Sequence, residues 1–463
     1  MAGAWMLRAM VVLLAVLIAI PGTRATYGNV GANAMRNGQT GAAGPDSTPG
    51  VVWNVTNPDR SKFIHTPVLN GNATLVYASS VTGFVYAFDT ATGDMVFEAC
   101  VGTEPDFPGD PCGDTGFQNE PYGELTVIGS VVVVPRVGAR TGVEVVAIDG
   151  VTGDVVWRYA LGADAPTTSL RPTILSFPTG VREPATGLDL VLFWVGLPRI
   201  RPPSGGYAKA AVYTVLEAET GIELNTTQYL TTQMSLYAPM VFDPSDGTIV
   251  TQRAENEQPA CGTLERQYMK CMGLAKYTLR GDRVLWKASM GTSMTMTGLA
   301  IDPVAGLVHV PGQDVYSFAY AAATGKPVFR MVTAEATTSN HPPAVCDDGT
   351  VIYSNNEDEL TGWSPAAARD KEPLWRQGCK GPGYCSLQPT IATNGLFLNV
   401  EGNTVTARAC ASGNLVWHVD LNHLFSGVAR HGNPVAIGPD GSVYAAVVVT
   451  NNYDSSGVLA RLR

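Results

Sequence analysis

Val145-Val146-Ala147-Ile148-Asp149, followed by Thr152-Gly153-Asp154 and then Trp157, is an apolar run, a Gly-centred turn and an aromatic. The same pattern runs from Val85 through Thr92-Gly93 to Phe97, from Val212 through Thr220-Gly221 to Leu224, and from Leu274 through Gly281 to Trp286. Further copies run from Val315 through Thr324-Gly325 to Phe329, from Leu360 to Trp375, and from Val405 through Gly413 to Trp417. From Trp286 to Trp417 the aromatics recur at about 40–45 residues, the period of propeller blades. The pattern has a mechanical reading. Glycine permits a left-handed turn, and Asp or Thr caps it through the side chain. The aromatic fills the gap to a neighbouring blade, removing on the order of 150–250 Å² from water.

The rest of each unit supplies the other strands. A Pro-anchored segment such as His65-Thr66-Pro67-Val68, Leu170-Arg171-Pro172-Thr173 or Leu387-Gln388-Pro389-Thr390 opens it, because Pro is tolerated at the first position of a strand. Turns such as Asp243-Pro244-Ser245-Asp246-Gly247 and Pro439-Asp440-Gly441 follow, then a second strand, and the repeated pattern gives strands three and four. Seven units run from His65 to Asp420, and a partial unit covers His431 to Arg463. Val51-Val52-Trp53-Asn54-Val55 reads as a lone fourth strand with its Trp. Joining the two ends makes an eighth blade and removes the open sheet edge. The expected fold is therefore all-β: an eight-bladed propeller of four-stranded antiparallel blades, with seven blades as the alternative. Repeats three and six, where Leu224 replaces the aromatic and Arg369-Asp370 replace Thr-Gly, are expected to be the loosest.

Abundant glycine (50) and proline (31) with only 15% charged residues fit many short strands joined by turns. A net charge of −10 without a basic stripe gives no electrostatic source for nucleic-acid binding. Arg8, the apolar run Met10 to Ile20 and Thr23-Arg24-Ala25 read as a secretory signal peptide over residues 1–25, too short for a membrane span. A lead-in segment over 26–50 then precedes the propeller, 51–463. No Cys stands near the cleavage site to accept a lipid anchor. A secreted protein, periplasmic if the source is bacterial, follows as the expectation. Eight cysteines in an oxidising compartment favour disulfides. Proximity suggests Cys100–Cys112, Cys261–Cys271 and Cys379–Cys385, and elimination leaves Cys346–Cys410. Asn54, Asn72 and Asn225 lie in N-x-Thr sequons and are glycosylation candidates.

The segments Ala147-Ile148-Asp149…Thr152-Gly153-Asp154…Trp157 and Ala87-Phe88-Asp89…Thr92-Gly93-Asp94…Phe97 resemble the docking motif of the pyrroloquinoline-quinone-like propeller repeat family. Arg36-Asn37-Gly38-Gln39-Thr40-Gly41, then Gly44-Pro45 and Trp53, is similar to the start of that family's chains. The family includes quinone-dependent alcohol and sugar dehydrogenases as well as non-enzymatic binding propellers. For the dehydrogenases the resemblance implies an axial site with calcium, a catalytic Asp and an adjacent-cysteine disulfide against the quinone. This chain has no Cys-Cys pair, and no Asp matches residue by residue.

The reading favoured is a non-enzymatic scaffold, expected to be monomeric, that binds a protein or small molecule and carries no cofactor. The alternative is a dehydrogenase dependent on pyrroloquinoline quinone and calcium. Three of the four expected disulfides fall on the face formed by the connections between blades and the loops between strands two and three. Binding residues concentrate on loops held by rigid scaffolds. Residues at the start of the inner strands ring the channel mouth on that face: His65, Glu120, Arg171, Tyr237, Met296, His341, Gln388 and Asn433. They are the ligand-binding candidates. Their histidines lack the spacing of a metal site, and no hydrolase motif is present.

Overall fold

A computed structural model describes Asn33, Met35 and residues 38–63, 66–102, 112, 124–138, 142–160, 174–175, 178–196, 209–231, 240–254, 272–289, 298–311, 316–332, 342–354, 359–365, 372–379, 388–402, 404–421, 428–432, 434–451 and 454–463. These residues form eight antiparallel sheets and no helix. Blade 1 contains Val68–Leu69, Leu75–Ser79, Phe84–Asp89 and Met95–Cys100, and blade 2 contains Thr126–Ile128, Val131–Gly138, Gly142–Asp149 and Val155–Ala160. The inner strand of blade 3 is split into Ile174–Leu175 and Thr179–Arg182, before Asp189–Gly196, Lys209–Glu217 and Glu223–Thr231. Blade 4 is Val241–Asp243, Thr248–Ala254, Met272–Thr278 and Val284–Ser289; blade 5 is Ala300–Asp302, Leu307–Val310, Tyr316–Ala321 and Pro327–Val332. Blade 6 is Ala344–Val345, Val351–Ser354, Glu359–Trp363 and Trp375–Gly378; blade 7 is Thr390–Ile391, Leu396–Glu401, Thr404–Ala409 and Leu415–Asp420.

Blade 8 closes the ring as expected. Its own chain supplies Val428–Gly432, Ala436–Ile437, Val443–Asn451 and Asp454–Leu462, and the outermost strand is the N-terminal Val51–Thr56. Trp53 stands opposite Arg461, and Gly50 and Arg463 exchange two backbone hydrogen bonds of 2.8 Å. Inner strands of adjacent blades touch and are buried, whereas outer strands alternate between buried and exposed residues. The core is thus a ring of inter-blade layers around the axis.

The repeated pattern is the device that joins the layers. Asp149 Oδ1 accepts from the Val151 and Thr152 amides, both at 2.8 Å, which fixes the turn. On their far side the turns of blades 1, 2, 3, 5 and 7 receive the aromatic of the preceding blade. Trp157 of blade 2 donates from Nε1 to the Ala218 carbonyl at 2.8 Å and lies on Gly221, where a Cβ would stand 2.6 Å from its Cγ. Gly221 also has φ +68°, so glycine is required twice over. Trp53, Trp286 and Trp375 repeat this bond to Thr90, Ala322 and Cys410 at 3.0, 2.9 and 2.8 Å. Trp417 donates to Pro45 O at 2.6 Å, so the lead-in segment takes the place of a docking turn for blade 7.

In blade 3 the aromatic's position is not held by the expected Leu224. A register shift just before the turn, present also in blades 1, 2, 4, 5 and 7, sets Asn225 opposite Val215. Asn225, not Leu224, therefore holds the aromatic's position. Its Nδ2 donates to the Arg280 carbonyl, and Tyr213 supplies the missing ring: its OH donates to Leu279 O at 2.7 Å and its edge covers Gly281. Residues 369–370, the substitution noted in repeat six, lie outside the described residues.

Two blades add a cation beneath the aromatic. Lys276 of blade 4, across from Trp286, is buried and donates to Asp243 and Asp246 at 2.7 Å each and to Ala322 O at 3.0 Å. Three acceptors satisfy its three protons. Arg461 of blade 8, across from Trp53, pairs with Asp440 at 2.9 Å and donates to Thr90 O at 2.8 Å.

Candidate functional site

Each inner strand begins at the loop face and runs toward the face of the tight turns. At its start the inner strands are laced together by polar side chains. Thr66 Oγ1 reaches Glu124 Oε1 at 3.5 Å, Thr126 Oγ1 donates to Pro178 O at 2.8 Å, and Thr179 Oγ1 donates to Met240 O at 3.2 Å. Across the ring, Gln388 Nε2 donates to Pro343 O at 2.9 Å and Thr390 Oγ1 to Val435 O at 2.7 Å. These bonds join blades 1 to 2, 2 to 3, 3 to 4, 6 to 7 and 7 to 8. Carbonyls and hydroxyls buried there must find partners, and the lacing supplies them while setting the bore of the channel mouth.

Of the eight mouth candidates, Gln388 is described; its side chain is buried and holds blade 7 to blade 6. His65, Glu120, Arg171, Tyr237, Met296, His341 and Asn433 lie outside the described residues, and nothing here places them together. Sequence reasoning missed Glu124, a buried carboxylate two residues before the blade 2 inner strand. It also missed the threonines. Their one signal is the recurrence of Thr beside the Pro that opens a unit, as in Thr66-Pro67 and Pro389-Thr390.

The stapled loop face is anchored as well. Cys100–Cys112 is a disulfide across 12 residues in the connection from blade 1 to blade 2. Arg158 of blade 2 donates to Val101 O and Gly102 O in that connection, at 2.9 and 3.2 Å. Arg158 is held in turn by Glu144 at 3.5 Å, which also takes the buried Arg136 at 3.0 Å. Cys346–Cys410 is bonded as elimination implied, and it lies on the opposite face, where it ties the first turn of blade 6 to the docking turn of blade 7. Cys379 is disulfide-bonded; Cys385, its expected partner, and the expected pair Cys261–Cys271 lie outside the described residues. Among the sequons, Asn54 and Asn72 are exposed, whereas Asn225 is half-buried in the contact with Arg280.

On the far side of the channel the lead-in segment lines the wall. Ile301 of the blade 5 inner strand donates its amide to Met35 O at 3.1 Å, and Ile391 of blade 7 donates to Gly38 O at 2.7 Å and accepts from Thr40 N at 3.1 Å. Thr390 and Ile391 pair with the second strand on one side, so these bonds use the axial edge. Gln39 Nε2 donates to Asp347 Oδ1 of blade 6 at 3.1 Å. Burial, reinforced by the neighbouring Asp348, pushes the Asp347 carboxyl up from its usual range. The segment leaves past Asn394, whose Nδ2 donates to Gly44 O at 2.9 Å and Asp46 Oδ1 at 2.7 Å.

Calcium takes six to eight oxygen ligands, several of them carboxylates. The described residues at this mouth offer one carboxylate, Glu124, already bonded to Thr66, and one amide, Gln388, already bonded to Pro343. Among the described residues no three His, Cys, Asp or Glu side chains converge as metal ligands. No step through a quinone–calcium centre is derived.

Residues 274–448 match the family described as outer membrane protein assembly factor BamB. The fold is similar to quinohemoprotein alcohol dehydrogenase from Comamonas testosteroni, with a TM-score of 0.67 at 13% identity over 96% of this chain and 82% of that one. It is similar also to a europium-containing methanol dehydrogenase, with a TM-score of 0.62 at 10% identity over 96% and 100%. BamB from Moraxella catarrhalis gives a TM-score of 0.54 at 12% identity over 90% and 98%. No curated protein matches the sequence. The chain is an eight-bladed β-propeller whose fold is similar to that of the quinoprotein dehydrogenases and of BamB. Enzymes and non-enzymes share that fold, so function has to be argued from the site.

Proposed function

We propose that this protein is a non-enzymatic binding scaffold of an oxidising compartment, secreted or periplasmic, whose ligand or protein partner sits on the loop face. One observation carries the reading: Thr66, Thr126, Thr179, Gln388 and Thr390 at the channel mouth bond to the neighbouring blade. The disulfides favour an oxidising compartment. No helix among the described residues is long and apolar enough to cross a membrane. The Cys100–Cys112 bridge and the Arg158 anchor lower the ordering cost of a partner docking nearby.

The test is direct. Pyrroloquinoline quinone and calcium are titrated into the protein while quinone absorbance and dye reduction with simple alcohols and sugars are followed. The scaffold reading expects neither saturable quinone binding nor turnover. Stoichiometric quinone binding with dye reduction replaces it with the dehydrogenase reading. A photo-crosslinker at Gly378 on the loop face, where a Cβ meets nothing within 4 Å, is expected to trap a partner from the native secretome, and one at the exposed Val304 on the turn face is not. The reverse pattern moves the binding surface to the other side.

A further inference from the structure

The layer between blades 5 and 6 breaks a rule that blades 4 and 8 keep. In blade 4 the first-turn carboxylate Asp243 accepts the Ser245 amide at 3.0 Å through one oxygen and Lys276 at 2.7 Å through the other. In blade 8 Asp440 divides its oxygens likewise, between the Ser442 amide at 3.0 Å and Arg461 at 2.9 Å. Asp302 is the counterpart in blade 5, and its Oδ1 accepts the Val304 and Ala305 amides at 2.9 Å. The strand-three position of the cation, however, is Ala319, across from Phe329. Asp302 Oδ2 is buried without a hydrogen bond.

A titratable residue stands one strand further in. His309 pairs with Ala319 and Ala300, so it lies on the same face as Asp302 and points into the layer shared with blade 6. It is 0% exposed, neither ring nitrogen has a hydrogen bond, and its ring centroid lies 6.3 Å from that of Phe329. Blade 6 presents Val345, Val351, Tyr353 and Trp363 to this layer. Tyr353 is buried with its OH also unbonded. Three unbonded polar groups in one apolar layer are unusual, since buried polar atoms are nearly always paired.

We propose that the contact between blades 5 and 6 is a proton-operated seam, in which the buried and unbonded His309 loosens the layer when it takes up a proton. The titratable groups facing the imidazole are Asp302, from the first strand of its own blade, and Tyr353, from blade 6; Glu359, further out on blade 6, is paired with Arg376 at 3.4 Å. Burial lowers the His309 pKa from 6.5 to about 4, and the attraction of Asp302 offsets this only in part. Burial also holds the Tyr353 phenol neutral. A group whose folded pKa is depressed binds more protons unfolded than folded over the interval between the two values. Stability linked to His309 is therefore full above pH 6.5 and is lost as pH falls toward about 4. A protonated imidazole without a hydrogen bond must draw in water or swing toward Asp302, and either movement parts the apolar layer.

The test compares thermal unfolding of the full chain with that of His309→Val between pH 7.5 and 4.5. Val already occupies this register position in blades 2 and 4, as Val133 and Val250, so the variant preserves a native solution. The Tm of the variant is expected to gain on the parent by about 2 °C across this range. A gap that stays constant, or a parent that gains as an Asp302–His309 ion pair would make it, overturns the proposal. If the variant fails to fold, native-state hydrogen exchange on the parent decides. Corrected for the intrinsic rate, the amides of Leu307–Val310 and Val351–Ser354 should lose protection from pH 7 to pH 5 relative to Val131–Gly138. Equal change in all three overturns it.

Discussion

Trp53 and Arg461, near opposite ends of the chain, donate to the same acceptor: the carbonyl oxygen of Thr90 receives Trp53 Nε1 at 3.0 Å and Arg461 Nη1 at 2.8 Å. The two residues are register partners within blade 8, and Thr90 belongs to blade 1. This one oxygen therefore marks the closure of the ring. Trp53→Ala removes both the ring and the bond. It is expected to cost about 3 kcal/mol of unfolding free energy, measured by denaturant titration, and to speed proteolysis at the blade 8–blade 1 layer. A loss below about 1 kcal/mol would show that closure rests on the backbone ladder alone.

Lys276 is a buried cation paired with two carboxylates. Lys276→Met leaves Asp243 inside the protein without its counter-charge, at an expected cost of about 3–5 kcal/mol at neutral pH. Burial raises the Asp243 carboxyl, but Lys276 and Ser245 outweigh it and hold the pKa below 3.8. Its folded pKa being depressed, Asp243 stabilises the parent above pH 3.8 and ceases to do so as pH falls through the folded value. In the variant that stabilisation is gone, so the gap between the two proteins should shrink in acid. Parallel stability curves from pH 7 to pH 3 would contradict this.

Gly221 and Gly349 separate backbone strain from docking. Both have positive φ, +68° and +81°, yet a Cβ at Gly221 meets Trp157 at 2.6 Å while one at Gly349 meets nothing within 4 Å. Gly349→Ala should cost about 1 kcal/mol, the left-handed penalty alone. Gly221→Ala should cost at least about 2 kcal/mol more, because Trp157 must leave its pocket. Equal losses in chemical denaturation would mean that the indole can move aside freely.

Expression in a glycosylating host tests the sequons by glycopeptide mass spectrometry. Asn54 and Asn72 are exposed and should carry glycans. Asn225 should not, because its Nδ2 is engaged by Arg280 O and by Thr227 Oγ1. A fully occupied Asn225 would require the contact between blades 3 and 4 to open.

The architecture was legible because one motif does one mechanical task in each unit. Asp149 fixing its turn, Trp157 lying on the next blade's glycine and Val51–Thr56 completing blade 8 all follow from that task. The exchange at Asn225 and Tyr213 was hidden, because a register shift changes which residue faces outward without changing composition. The lacing by Thr126, Thr179 and Thr390 was hidden for another reason. A hydroxyl bonding to a carbonyl of the next blade joins residues 45–61 positions apart and leaves no local period to read. The His309 position looked ordinary in sequence. Only comparison with Val250 at the same register shows that a titratable ring replaced an aliphatic one.

The grip of residues 38–46 on blades 6 and 7, and of 51–56 on blade 8, has a temporal meaning. The part of the chain made first is among the last to find its place, since its partners are encoded hundreds of residues later. Until the C-terminal hairpin emerges, the growing polypeptide carries an unmated edge at each end, and contacts so distant along a chain form slowly. Maturation should accordingly wait on completed synthesis, and a ribosome-stalled fragment ending before Asp454 should remain open, sticky and readily digested.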